Sequence, residues 1–228
     1  MRDSFQDRVQ SGQLLAKELA AYATRKDVIV LGLPRGGVPV AFEVARKLNA
    51  PLDVFVVRKL GVPGHRELAM GAIATGGVRV LNDDVIRSLH IPPELIDSVA
   101  AEEERELHRR EIAYRGHGAS PAISGKSVIL VDDGIATGST MRAAVLALKK
   151  QHPARIIIAV PTAAPSSYRD LKHEVGEMIA LMVPEEFYAV GQFYEDFSQT
   201  TDEEVTRLLE EAGHGSNVAK HATYDAHD

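Results

Sequence analysis

A chain of 228 residues, 45% hydrophobic and 25% charged, can bury a full core as one large domain. Its formal charge of −6 excludes the basic surplus of a nucleic-acid scaffold, yet leaves room for the few local donors that a phosphate needs. The absence of cysteine removes disulfides, thiolate metal sites and a cysteine nucleophile; no apolar run approaches membrane-spanning length, so a soluble cytoplasmic protein with no nucleic-acid or membrane partner is expected.

The first segment, "FQDRVQSGQLLAKELAAYA", spaces Val9, Leu14, Leu15 and Leu19 as an amphipathic helix. "DVIVLGL" (27–33) reads as a strand, then a glycine-bearing turn, a helix over 38–49 and a second strand over 52–57. Residues 58–68 read as a loop holding Gly61, Pro63 and Gly64, and 69–82 as two short strands around Thr75-Gly76-Gly77. A charged helical stretch fills 83–115, where "EEER" (102–105) is a solvated face and Glu106 can pair with Arg110. After a Gly/Pro/Ser stretch come a strand (127–131), a helix (139–151), a strand (155–160), a helix (165–174) and a strand (177–183). Apolar strands without clean alternation, separated by helices, imply an α/β fold with a mainly parallel sheet covered on both faces. One domain over 1–212 is expected, with 83–120 a helical insertion and the polar stretch 213–228 a disordered tail, whose three histidines are read as solvated rather than metal-bound.

The stretch "VILVDDGIATGST" (128–140) carries the chemistry. In an open parallel sheet, ligands sit beyond the carboxyl ends of the strands, where Asp132 and Asp133 would lie. Two adjacent carboxylates repel and resist desolvation; a cation, or a ligand whose hydroxyls donate to them, relieves both problems. Thr137, Gly138, Ser139 and Thr140 leave backbone N–H groups uncovered at a helix start, which suits a phosphate. A Walker loop is excluded because no lysine follows Gly138, and Gly-x-Gly-x-x-Gly is absent. A plain capping turn would explain "DDG" alone, but not thirteen consecutive positions of consistent chemistry.

This stretch resembles the phosphoribosyl-pyrophosphate signature of type I phosphoribosyltransferases. The resemblance implies that fold: a mainly parallel central sheet flanked by helices, with a helical hood. It implies that Asp132 and Asp133 hold the ribose hydroxyls and Mg2+, and that Ala136 to Thr140 (Ala136, Thr137, Gly138, Ser139, Thr140) cradle the 5-phosphate. "GLPRGGVPVAF" resembles the family's pyrophosphate loop, with Arg35 as a charged fork and Gly36 and Gly37 giving close backbone approach and positive φ. A cis peptide at Pro34–Arg35 goes with that loop. "VRKLGVPGHRELAMGAIA" (57–74) resembles the mobile catalytic loop, with Arg58 and Lys59 placed for the leaving pyrophosphate, Gly61 and Gly64 as hinges, and His65 and Glu67 within reach of the base. "PEEFYAVGQFYEDF" (184–197) resembles the base-binding segment, with Phe187 stacking on the acceptor or, equally, buried as core, and Glu195 and Asp196 near a second magnesium.

Ala136 stands where enzymes of 6-oxopurines carry an acid, and alanine cannot accept a proton. "DDGIATGSTM" is closest to the adenine enzymes' version, which use a loop glutamate; Glu67 is the acid in the corresponding loop, at a different offset. Adenine specificity therefore does not follow. The insertion reads as the hood over the acceptor or as a homodimer interface, its charge favouring the first. Residues 1 to about 211 resemble bacterial proteins described as phosphoribosyltransferases of unassigned substrate. The implied partners are phosphoribosyl pyrophosphate and a small heterocyclic acceptor. The alternative is a sensor that binds phosphoribosyl pyrophosphate or a nucleotide without turnover; a phosphohydrolase lacks a recognisable nucleophile motif.

Overall fold

The computed structural model describes residues 4–116 and 118–221. Its centre is a five-stranded, all-parallel sheet in the order β2-β1-β6-β7-β8, made of β1 (Val28–Gly32), β2 (Leu52–Val54), β6 (Ser127–Val131), β7 (Arg155–Thr162) and β8 (Glu177–Met182). β1 and β6 are buried along their whole length, which is why both read as unbroken apolar runs. Helices α1 (Arg8–Glu18) and α2 (Gly37–Leu48) close one face through Leu15, Leu19, Val40, Val44 and Leu48. Helices α5 (Ser139–Lys149) and α6 (Pro165–Val175) close the other through Met141, Val145, Leu148 and Leu171.

Residues 58–68 differ from the expected loop. They belong to a second, antiparallel sheet of β3 (Val57–Val62), β4 (His65–Ala74) and β5 (Val78–Leu81). Pro63-Gly64 is its hairpin turn, where Gly64 takes φ +80°, and the pairing shifts register on both sides of Gly61. Leu60, Val62, Met70 and Ile73 give this sheet a buried face of its own, covered by Ile96, Ala100 and Leu107 of α4 (Pro93–Arg115). The short helix α3 (Asp83–Ser88) precedes α4, so the 83–115 stretch is helical as expected and roofs the second sheet. Arg115, its side chain 7% exposed, ties the end of α4 to the main sheet by donating from Nε to Asp53 Oδ1 of β2 at 2.6 Å, while its Nη1 donates within the helix to Glu111 Oε1 at 3.1 Å. Helix α7 (Asp202–His221) packs Val205 and Leu208 into the same cluster as α4 and runs on through 213–221, the first part of the stretch expected to be a tail; residues 222–228 lie outside the described ones.

Candidate active site

β6 ends at Val131, and the chain leaves the sheet through Asp132 and Asp133, so strand geometry alone delivers both acids to the carboxyl edge. Asp132 Oδ1 accepts the Asp133 N–H at 2.9 Å. Burial, then the neighbouring Asp133 carboxylate, pushes the Asp132 carboxyl well above the usual carboxylate range. Burial raises Asp133 as well, but there the Arg8 guanidinium pulls the other way. Arg8 donates to Asp133 Oδ2 from Nε at 2.9 Å and from Nη2 at 2.8 Å, and to the Ser198 carbonyl from Nη1 at 2.7 Å. Its guanidinium lies 4.0 Å from the Phe197 ring centroid.

The second motif meets the first here. The Pro34–Arg35 peptide is cis, as the resemblance implied. Gly36 has φ −60°, and neither Gly36 nor Gly37 has positive φ, so of the two expected reasons for glycine the positive φ is not met and close approach remains. A Cβ on Gly36 would fall on the Asp133 carboxylate, and a Cβ on Gly37 would lie 2.8 Å from both Asp132 Cα and the Val131 carbonyl oxygen. The two glycines let the β1–α2 turn lie flush against the acid pair. Arg35 stands at the mouth, with Nη1 4.0 Å from Asp202 Oδ1 at the start of α7; Asp202 also accepts the Tyr114 hydroxyl at 2.8 Å.

Beyond the acids, the Ile135 N–H donates to the Thr162 carbonyl at 3.0 Å, and the Ser167 hydroxyl to the Ala136 carbonyl at 2.6 Å, which pins the turn between β7 and α6. Gly138 takes φ +72° to open α5, whose first N–H groups have no intrahelical partner. Ala136, Thr137 and Thr140 are exposed. Lys59 reaches this turn from β3 and donates to the Ser139 hydroxyl. Arg58, one residue earlier on the strand, points to the opposite face and pairs with Glu103 of α4 at 2.7 Å. Lys59 is thus brought to the expected phosphate cradle and Arg58 is not. Glu67 falls on β4, with its side chain outside the described ones. A groove of about 950 Å³ continues from Lys59, Thr137 and Ser139 past Leu81 and Leu146.

Residues 64–197 match the family model described as "Phosphoribosyl transferase domain". The chain belongs to that family. A Mycobacterium tuberculosis H37Rv protein named "Putative phosphoribosyl transferase Rv0571c" is 46% identical over 208 residues, covering 91% of this chain and 47% of the relative. The counterpart in strain CDC 1551 / Oshkosh, "Putative phosphoribosyl transferase MT0597", matches to the same extent. The chain spans about half the length of these curated relatives. The crystal structure of TT1426 from Thermus thermophilus superposes with a TM-score of 0.83 at 43% identity, over 91% of this chain and 98% of that one. The architecture is the type I phosphoribosyltransferase fold.

The segment after β8 reaches the acid pair through Tyr194 and Phe197. Phe187 is half-buried against Phe193, ring centroids 5.1 Å apart, in a cluster with Phe5 and Tyr194. The aromatic ring offered to solvent is its neighbour Tyr188, which is 83% exposed. Glu195 and Asp196 accept from Ser4 and Ser198. Among the described residues no group of three or more His, Cys, Asp or Glu is placed to hold a metal. The chemistry of the two adjacent carboxylates suits a divalent cation, which would offset the repulsion between Asp132 and Asp133. Arg8, Tyr194 and Ser11 were not found from sequence. The Tyr194 hydroxyl donates to the Asp133 carbonyl at 2.7 Å and lies 3.3 Å from the Ser11 hydroxyl. Nothing local marks Arg8, 125 positions from its partner on a helix that reads as amphipathic. Among the described residues no helix is long and apolar enough to cross a membrane.

Proposed function

We propose that this protein transfers the phosphoribosyl group of phosphoribosyl pyrophosphate to a ring nitrogen of a small heterocyclic acceptor, releasing pyrophosphate. The observation that carries the reading is the fit of two motifs about a hundred residues apart: Gly36 and Gly37 have no room for a side chain because the β1–α2 turn rests on Asp132 and Asp133. The pair of acids takes the ribose hydroxyls, the turn Ala136–Thr140 takes the 5-phosphate on the free N–H groups of α5, and Arg35 at the mouth takes pyrophosphate oxygens. Lys59 adds a cation at the phosphate turn. Asp132 and Asp133 would hold Mg2+, which would supply charge neutralisation for the leaving group. The chain's own contribution is positioning and stabilisation of charge as the C1–O bond breaks and C1 becomes oxocarbenium-like. A cytoplasmic location goes with that substrate, and homodimerisation, checked by sedimentation, with that fold.

The test is pyrophosphate release from phosphoribosyl pyrophosphate and Mg2+ across purine, pyrimidine and related acceptors, with Asp132→Asn/Asp133→Asn alongside. Release with one acceptor, abolished in the double variant, supports the transferase and names its substrate. Silence across the panel with tight binding favours the second reading, a sensor without turnover. Unchanged affinity in the double variant refutes the site.

A further inference from the structure

The acid pair is not symmetric. Both Arg8 donors converge on a single oxygen of Asp133, at 2.9 and 2.8 Å, and the third guanidinium nitrogen is taken by the Ser198 carbonyl. The two side chains are 11% and 14% exposed, so the pair is largely withdrawn from water. The Phe197 ring covers the guanidinium, and the Tyr194 hydroxyl holds the Asp133 backbone carbonyl. On the remaining side stands Gly36, where any Cβ would strike the same Asp133 oxygen and come within 3.2 Å of Arg8 Nε. Each of the three guanidinium nitrogens is thus held by this chain, two by Asp133 and one by the Ser198 carbonyl, which fixes the orientation of Arg8. Asp132, by contrast, has no ion-pair partner among the described residues; one of its oxygens takes the Asp133 N–H.

We propose that Arg8, on the N-terminal helix, is a positioning residue of the ribose-binding acid pair: it fixes the Asp133 carboxylate in place beside Asp132. Asp133 then acts as the joint between three segments that sequence keeps apart, namely α1, the β1–α2 turn and the 194–198 segment. Arg8 lies outside residues 64–197, the span of the family model, so the site depends on a side chain the family motif does not contain. A carboxylate deprived of its buried counter-ion becomes a worse neighbour than an amide, because it is left charged and unpaired. That asymmetry separates a role through Asp133 from a general packing role.

The inference rests on the phosphoribosyltransferase reading, and the experiment keeps the two apart. Ribose 5-phosphate binding with Mg2+ is measured by calorimetry on the full chain for wild type, Arg8→Met, Asp133→Asn and the double variant, each below its own melting temperature. Arg8→Met is expected to weaken binding about tenfold or more. Adding Asp133→Asn to it should recover affinity to within about threefold of Asp133→Asn alone, the non-additivity of groups acting as a unit. Additive losses, or an Arg8→Met variant that binds like wild type, overturn the proposal. Should Arg8→Met not fold alone, recovery of both folding and binding by the added Asp133→Asn supports it, and a double variant that folds without binding overturns it. Wild-type protein that binds neither ribose 5-phosphate nor phosphoribosyl pyrophosphate refutes the underlying reading instead.

Discussion

Gly37→Ala separates stability from function at this site. Gly37 is the first residue of α2 and adopts no positive φ, so the backbone accepts alanine without strain. Replacing glycine in a helix by alanine is worth up to about 1 kcal/mol in favour of folding. Against this, the new Cβ would lie 2.8 Å from Asp132 Cα and from the Val131 carbonyl oxygen, about 0.6 Å short of ordinary contact. Both obstacles are backbone of a fully buried strand end and cannot swing aside as a side chain would. Overpacking of this kind costs about 1–3 kcal/mol, so the net destabilisation is about 0–2 kcal/mol, visible as a modest loss in urea unfolding. The functional cost is separate. The β1–α2 turn must retreat from the acid pair by about half an ångström, and misplacement of that order should weaken phosphoribosyl-pyrophosphate binding about tenfold. Calorimetry with phosphoribosyl pyrophosphate and Mg2+, alongside urea unfolding on the same preparation, reads both quantities. A variant that binds within about threefold of wild type would show that the turn and the acids do not act as one surface, and the reasoning would fail.

Lys59→Gln should weaken ribose 5-phosphate binding about tenfold by removing one charge-assisted contact at the phosphate turn, while inorganic pyrophosphate binding is little changed; the reverse pattern in calorimetry would return Lys59 to the leaving group. Arg115→Met leaves Asp53 buried without its counter-ion and should cost about 3–5 kcal/mol in urea unfolding; a loss below about 1 kcal/mol would mean α4 is held by its apolar face alone. Burial, then hydrogen bonding to Asp202, pushes the Tyr114 phenol up to about 12, and burial also raises Tyr22 and Tyr194. The folded state therefore keeps protons that the unfolded chain releases near pH 10, so stability should fall as pH rises from about 10 towards 12, and Tyr114→Phe should flatten that slope; a urea midpoint independent of pH across this window would refute it.

The central sheet and the acid pair were legible in the sequence because each is a local signal. Val128–Val131 is apolar without alternation, as a strand covered on both faces must be, and the two acids and small-residue turn follow at once. The β3–β4 hairpin was not legible. Gly61, Pro63 and Gly64 sit among charged residues, and the register shifts around Gly61 break the alternation by which a strand is recognised. Reading 58–68 as a loop had a consequence: adjacent residues of a loop can serve one ligand together, whereas adjacent residues of a strand face opposite sides. The resemblance to a catalytic loop gives Arg58 and Lys59 one role at the leaving pyrophosphate, whereas the strand sends one to Glu103 and the other to Ser139. The close approach at Gly36 and Gly37 was foreseen and its partner was not, because a Cβ collision with Asp132 and Asp133 depends on how β1 and β6 pair in space.

The hairpin's two faces answer to different partners, and this bears on how the site would close. On one side Arg58 meets Glu103 of α4, whose far end Arg115 binds to Asp53 of the main sheet. That chain of ion pairs joins the hairpin to the frame of the protein, and its contacts are half-buried or better, where charges are poorly screened by salt. On the other side Lys59 meets, among the described residues, a hydroxyl, a weaker partner for an ammonium than a phosphate oxygen. A phosphate entering the turn would therefore compete with Ser139 for Lys59 without disturbing Glu103. On the proposed reading, Lys59 would exchange a hydroxyl for a phosphate oxygen while the anchor of β3 to α4 stays as it is. A protein carrying a net charge of −6 can hold an anionic substrate in this way, because the cations that matter are fixed by the fold at the few places where phosphate oxygens arrive.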